Sequence, residues 1–236
     1  SLLMKIIGIS GRKQSGKNTA ANIMNGAILK QNELVIDYKI NIDGQLLVLT
    51  RDINHVQGWG ILDVTRKDLA FVDYAERELW PFVKIYHFAD YLKKMCVDLF
   101  DLKPTQVYGT DNDKNTMTPY GQTAREFLQY FGTDVMRKIK DTVWVDCTLN
   151  SIQSEKSELA IIPDVRFPNE VEAIQSAGGI VIRLNRDTFN DNHPCERALD
   201  KDAFDWNNFD QVVDNSSTNL KELESNILNL KHFWSN

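Results

Sequence analysis

Gly11-Arg12-Lys13-Gln14-Ser15-Gly16-Lys17 is the stretch on which the reading of this chain turns. It matches the pattern Gly-x-x-x-x-Gly-Lys. The apolar run Met4–Ser10 precedes it and reads as a buried strand. After it, from Lys17 to Lys30, Ala20, Ile23, Met24 and Ile28 recur at helical spacing. A strand, a glycine-rich turn and a helix together are the context in which this pattern cradles phosphate. Gly11 and Gly16 allow backbone angles that turn successive N–H groups inward. The helix start adds partial positive charge, and Lys17 reaches the β- and γ-phosphates of a bound triphosphate. Gly11, Lys13, Ser15, Gly16, Lys17, Asn18 and Thr19 are therefore the candidate triphosphate-binding residues. Asn18 stands where Ser or Thr usually follows the lysine, and the hydroxyl comes one place later at Thr19. A metal contact through Asn18 or Thr19, direct or by way of water, is open at this point.

Outward from the loop, Val83–Phe88, Glu158–Val165, Ile180–Leu184 and Gln211–Val213 read as further strands. Pro163 lacks a ladder donor, so the strand containing it is expected to end early. Ala89–Phe100, Pro168–Ala177 and Thr218–Phe233 read as helices, and 122–149 as one or two helices broken near Gly132-Thr133. The polar stretch Lys103–Tyr120 reads as a mobile loop, a candidate to close over the phosphates. Val35–Ile42 and Gln45–Thr50 alternate on either side of Asp43-Gly44, a strong hairpin signal. Strands alternating with helices predict an α/β fold of the P-loop NTPase kind. Its three layers hold about five parallel strands, with helices on both faces and the β-hairpin added. One domain over 4–236 is expected, with its ligands at the carboxyl ends of the strands.

Composition narrows the choices. The chain of 236 residues is 42% hydrophobic and 25% charged, enough to bury a core. Its net charge of −6 argues against non-specific nucleic-acid binding, which needs broad basic surfaces. The three cysteines, Cys96, Cys147 and Cys195, are widely spaced and show no metal or disulfide pattern. No run of about 18 apolar residues and no signal peptide is visible, so the chain reads as cytoplasmic, with no membrane partner.

Four further stretches carry a resemblance. They are Phe88-Ala89-Asp90-Tyr91-Leu92-Lys93; Arg125–Asp134 with Arg137 and Trp144 beyond; Asp164-Val165-Arg166-Phe167-Pro168-Asn169-Glu170 leading to Gly178–Arg183; and His193-Pro194-Cys195-Glu196 followed by Leu199-Asp200. With the loop and its Gly-Lys-x-Thr ending, the chain resembles the phage deoxynucleoside monophosphate kinase family over roughly 4–30 and 84–230. Residues 31–82 do not fit that family's compact pattern and read as an insertion.

The resemblance implies ATP as donor, Mg2+ as cofactor, a deoxynucleoside 5′-monophosphate as acceptor, a homodimer and, for a phage protein, the host cytoplasm. An ionised phosphate acceptor needs no general base, so the site must gather cations. Lys17, Arg125, Arg137 and Arg166 are the catalytic candidates. Arg166 follows the third core strand, and Asp164 in it holds the place of a magnesium-binding acid, with Thr19 as the second metal candidate. The alternative for Asp164 and Arg166 is a structural ion pair. Arg183, with Arg186 beside it, is a candidate for the adenine or its phosphates. Phe88, Asp90, Lys93, Arg125 and Gln129 are the acceptor candidates. Asp90 also reads as a carboxylate placed for a helix N-terminus. His193 and Glu196 carry no assigned chemistry. Two other functions fit the same loop: a kinase acting on a hydroxyl acceptor, for which Asp90 would be the base, and a non-catalytic nucleotide-binding interaction protein.

Overall fold

A computed structural model describes residues 4–186, 194–217 and 219–236. Along the chain the elements are β1 (Lys5–Gly11), α1 (Lys17–Gln31), β2 (Asp37–Ile40), β3 (Leu46–Arg51), β4 (Gln57–Ile61), α2 (Leu69–Glu78), β5 (Val83–Ile85) and α3 (Ala89–Phe100). Next come α4 (Pro104–Tyr108), α5 (Asp111–Lys114), α6 (Ala124–Gln129), a π-helical stretch (Tyr130–Met136), α7 (Arg137–Ile139) and α8 (Val143–Glu155). The chain ends with β6 (Leu159–Val165), α9 (Pro168–Ser176), β7 (Ile180–Asn185), α10 (Pro194–Arg197), β8 (Gln211–Asp214), α11 (Leu220–Asn229) and α12 (Lys231–Trp234). Two compact units result, one from Ser1–Tyr86 with Ile152–Asn236 and one from His87–Ser151.

The first unit holds a five-stranded sheet of order β5-β6-β1-β7-β8, parallel throughout. β1 pairs on both sides, which is why its sequence is apolar on both faces. Ile7 and Ile9 face α1 in one cluster with Ile161, Ile182, Leu223, Ile227 and Trp234. Gly8 faces the other way, toward Ile174 of α9, so helices cover both faces. The expected α/β architecture is the observed one.

Pro163 does not end its strand. β6 runs on to Val165, and the register to β1 slips there, from Gly8↔Ile162 to Ser10↔Val165. β6 thus spends one residue more than β1 across this interval. A bulge is where a strand tolerates a residue without an N–H.

The hairpin within 31–82 is present and gains a third strand. β2, β3 and β4 form an antiparallel sheet of their own, with Asp37↔Leu49 and Leu49↔Trp59 in register. β4 escapes sequence reading because all five of its residues are exposed and none alternates with a buried one. The sheet packs on α1 at Gly26, where a β-carbon would stand 2.5 Å from the Tyr38 ring and 2.8 Å from Leu46. Leu46, Val48, Phe71, Ala75 and Leu79 join the main apolar cluster, so residues 31–82 share the core of their unit.

The second unit is helical. The stretch expected to be a loop, Lys103–Tyr120, contains α4 and α5. Buried Gln106 accepts from the Lys103 N–H (2.9 Å) and donates to the Thr116 hydroxyl (3.1 Å) and the Met117 carbonyl (3.2 Å). Thr110 and Asp113 cap α5 reciprocally, at 3.2 and 3.0 Å. The helix expected to break at Gly132 instead widens into π-helix and continues to Ile139; the break falls after it. A β-carbon at Gly132 would lie 2.6 Å from Leu92 of α3, and the Gly132 carbonyl accepts from the Trp144 indole at 3.0 Å. Phe100, Tyr120, Phe127 and Phe131 form an aromatic cluster with centroid separations of 5.0–6.1 Å.

Candidate functional site

The turn between β1 and α1 is held in one shape by its glycines and by a side chain from beyond β8. Gly16 has φ +99°, a conformation glycine adopts without strain, and a β-carbon there would meet the Asn215 amide at 2.9 Å. Asn215 is buried after β8 and donates to the Ser15 carbonyl at 2.8 Å, fixing the loop from the far edge of the sheet. A β-carbon at Gly11 would fall 2.2 Å from Ser15 Oγ. That hydroxyl is fully buried and has no hydrogen-bond partner. The Lys17 ammonium bends back onto the loop's own carbonyls, at 2.6 Å from Gly11 O and 3.4 Å from Arg12 O. Burial pushes the Lys17 pKa down to about 8, and the positive charges of Arg166 and Arg183 lower it too, while Glu196 and Asp164 pull it up.

Around the loop stands a set of paired charges. Glu196 accepts from the Lys13 N–H at 3.1 Å and lies 4.0 Å from the Arg166 guanidinium. Asp200 receives the Arg12 guanidinium through two nitrogens, Nε at 3.0 Å, and also faces Arg183 (3.6 Å) and Arg197 (3.8 Å). Arg12, first among these, holds the Asp200 carboxyl below the usual range. Arg183 is 4% exposed, donates to Ser10 Oγ at 2.8 Å and lies over the Trp206 ring. Ser10 and Arg183 are register partners on neighbouring strands, which aims both to one face. Arg183 is thus no surface charge: it helps to fix Asp200 and, through it, Arg12. Asp164 lies within the β6 bulge and Arg166 just beyond it, its N–H bonded to Glu170 at 2.8 Å. Asn18 is exposed, and a β-carbon at Gly44 would come within 2.5 Å of Thr19 Oγ1, so that hydroxyl abuts the β2–β3 turn.

The remaining candidates lie in the helical unit. Asp90 caps the start of α3, accepting from the His87 N–H at 3.2 Å. Phe88 is buried, and Tyr91 is the exposed ring on this stretch. Lys93 lies over the Tyr108 ring at 5.7 Å. Arg125 pairs with Asp111 at 2.8 Å and Asn115 at 3.3 Å on an exposed surface, and Gln129 is exposed on the same helix. Arg137 donates to the Asp141 carbonyl at 3.1 Å.

A family model described as deoxynucleotide monophosphate kinase matches residues 5–227. The chain belongs to this family. Membership makes it a phosphotransferase acting on a deoxynucleoside monophosphate. An Acanthamoeba polyphaga mimivirus protein, carried under the provisional name of deoxynucleotide monophosphate kinase, is 33% identical over 157 residues, 60% of this chain and 79% of that protein. The deoxynucleoside-5′-monophosphate kinase of Escherichia phage T5 is 26% identical over 108 residues, 42% of this chain and 43% of that enzyme. No helix among the described residues is long and apolar enough to cross a membrane.

Within this family member, sequence reasoning left Glu196 without chemistry and gave Asp200 no role. Both sit beside the loop in space yet 183 and 188 positions away from their loop partners in sequence. His193 lies outside the described residues. The donor set fits magnesium, which keeps several waters and takes only one or two protein oxygens besides substrate phosphates. Asp164 is a carboxylate beside the loop, close enough to Lys17 to raise its pKa, as Glu196 also does.

Proposed function

We propose that the protein transfers the γ-phosphoryl group of ATP, with Mg2+, to a deoxynucleoside 5′-monophosphate. One observation carries the donor half of this reading. The Lys17 ammonium is partly desolvated and bonded only to carbonyls of its own loop in the hydrogen bonds seen, standing where phosphate oxygens would be better partners. Amides of the Lys13–Lys17 turn other than Ser15, whose N–H is taken by the Arg12 carbonyl at 3.0 Å, would receive the phosphate chain, and Glu196 would give up the Lys13 N–H to it. Asp164 and Thr19 would hold magnesium, which when bound neutralises charge on the β- and γ-phosphate oxygens. Lys17 and Arg166 then stabilise the negative charge that spreads as the bond to the leaving oxygen lengthens.

Arg125, Arg137 and Lys93 are assigned to the acceptor's phosphate, and Asp90 and Gln129 to its sugar and base. The acceptor oxygen is already ionised near neutral pH, so no residue needs to take a proton. Asp90, which caps α3, is not required as a base. The test is ADP release in a coupled assay with ATP and magnesium across deoxynucleoside monophosphates, ribonucleoside monophosphates and nucleosides. Release that depends on a deoxynucleoside monophosphate is expected. Release with nucleosides and none with monophosphates would overturn the reading in favour of a hydroxyl acceptor.

A further inference from the structure

The insertion has no place in the chemistry above, yet one of its turns stands at the mouth of the phosphate loop. A cleft of about 520 Å³ opens beside the start of α1. Gly16–Thr19 form its floor, Leu220 and Leu223 of α11 one wall, and Ile42-Asp43-Gly44, the β2–β3 turn, another. Its size falls in the range of small-molecule sites. A triphosphate whose tail is gripped by the loop must run its nucleoside out along a surface that adjoins Gly16–Thr19, and this cleft adjoins them.

The turn is built to stay where it is. Asn22 of α1 donates to the Gly44 carbonyl at 2.9 Å. Gly44 has φ +78°, and a β-carbon there would collide with the Thr19 hydroxyl, so the turn lies directly on the helix that carries the loop. Within it, Asn41 accepts from the N–H groups of Asp43 (3.0 Å) and Gln45 (2.9 Å). On this rigid support Ile42 is 97% exposed. A lone exposed aliphatic residue is ordinary on a surface. One held on an anchored turn at the lip of a cleft, with two leucines in the same lining, is an apolar surface prepared for a flat ligand. Asp43 adds a negative charge to this wall. That charge repels phosphate and suits the uncharged, hydroxyl- and amine-bearing end of a nucleotide.

We propose that the Ile42-Asp43-Gly44 turn is a wall of the donor-nucleoside site, in which Ile42 packs against the base and Asp43 accepts a hydrogen bond from the nucleoside. The insertion then contributes to selection of the donor. This rests on the reading that the loop holds the donor's phosphates, and the experiment separates the two. Calorimetric titration of the full chain in magnesium chloride compares ATP with inorganic tripolyphosphate, which has the phosphate chain and no nucleoside. Ile42→Ser is the variant, because a side chain this exposed contributes nothing to folding. The expected result is ATP binding weakened about fivefold, the scale of losing one partly covered aliphatic side chain, with tripolyphosphate binding unchanged. Asp43→Asn is expected to weaken ATP relative to tripolyphosphate in the same sense. Unchanged ATP binding by both variants, or an equal loss for ATP and tripolyphosphate, would overturn the proposal and leave the phosphate loop standing. A wild-type protein that binds neither ligand would bring down the donor reading itself, and this proposal with it.

Discussion

The phosphate-loop unit and the helical unit His87–Ser151 carry their candidate groups in opposite ways. In the first, the chemistry is written into the main chain. Gly16 at positive φ, Gly11 with no room for a side chain and the buried Asn215 hold a set of amides in one arrangement, and Lys17 bends back over it as a side chain. In the second, the polar candidates are half-buried or exposed side chains on helices, with Arg125 and Gln129 the exposed ones. Arg125 and its partner Asp111 are about half and almost fully exposed. A backbone site is rigid before the ligand arrives and loses little entropy on binding; an exposed guanidinium must be ordered each time. On the proposed assignment the donor half of the reaction would be preorganised and the acceptor half adaptable, which suits one fixed donor and a choice among acceptors.

That contrast makes its strongest demand at Lys17. Lys17→Met keeps the length of the side chain and removes the charge. Turnover is expected to fall about a thousandfold, the scale of removing one electrostatic stabiliser from a transition state. The thermal midpoint should hold or rise, because a desolvated charge has been removed. Turnover within tenfold of wild type would mean that the amides alone suffice.

A pH profile sharpens the same comparison with no substitution at all. Lys17, depressed from its ordinary value to about 8, is charged at pH 7 and largely neutral at pH 9 in the free protein. Bound phosphate favours the ammonium and raises the pKa, so binding above pH 8 must take up a proton. ATP affinity should be flat toward pH 7 and weaken as pH rises through about 8, by up to about tenfold per unit. Arginine does not titrate in this range. The acceptor KM, if arginines hold the acceptor, should stay level up to about pH 9.5. Parallel curves for donor and acceptor would erase the distinction drawn between the two units.

The same division explains what could be read from the sequence. The run from β1 through the loop into α1 was legible because each residue there has a local reason: apolar on both faces of a central strand, glycine where only glycine fits, helical spacing after it. The parallel sheet followed from the alternation of strands and helices. Pro163 misled because proline usually stops an interior strand, and only the pairing of β1 with β6 reveals the bulge that accommodates it. Residues 103–120 looked like a loop because they are polar, but the polar groups of Gln106, Thr110 and Asp113 are spent on capping two helices. Gly132 looked like a break, yet the close approach of Leu92 needs a glycine inside a continuous helix. Glu196 and Asp200, quoted for the resemblance, were given no role for a different reason. Their partners Lys13 and Arg12 are brought to them by sheet order alone, and no local pattern announces that.

The smallest of the expected effects lies at Arg125, and it is where the helical unit's side of the comparison is most exposed to failure. Arg125 bonds to Asp111 and Asn115 and so ties α5 to α6. A purely structural role accounts for that geometry as well as an acceptor-binding role does. An exposed pair of this kind contributes about 0–1 kcal/mol, so Arg125→Ala should change unfolding free energy by no more than that. If its guanidinium also meets the acceptor's phosphate, the same variant should raise the acceptor KM about tenfold, the loss of one charge-assisted contact, and leave the KM for ATP alone. Asp111→Asn separates the two roles. It removes the charged half of the structural tie but keeps the guanidinium, and frees it from a competing carboxylate, so the acceptor KM should stay level or fall. Equal increases in acceptor KM for Arg125→Ala and Asp111→Asn would reduce Arg125 to a staple between two helices, and the acceptor's phosphate would have to be sought at Arg137 and Lys93.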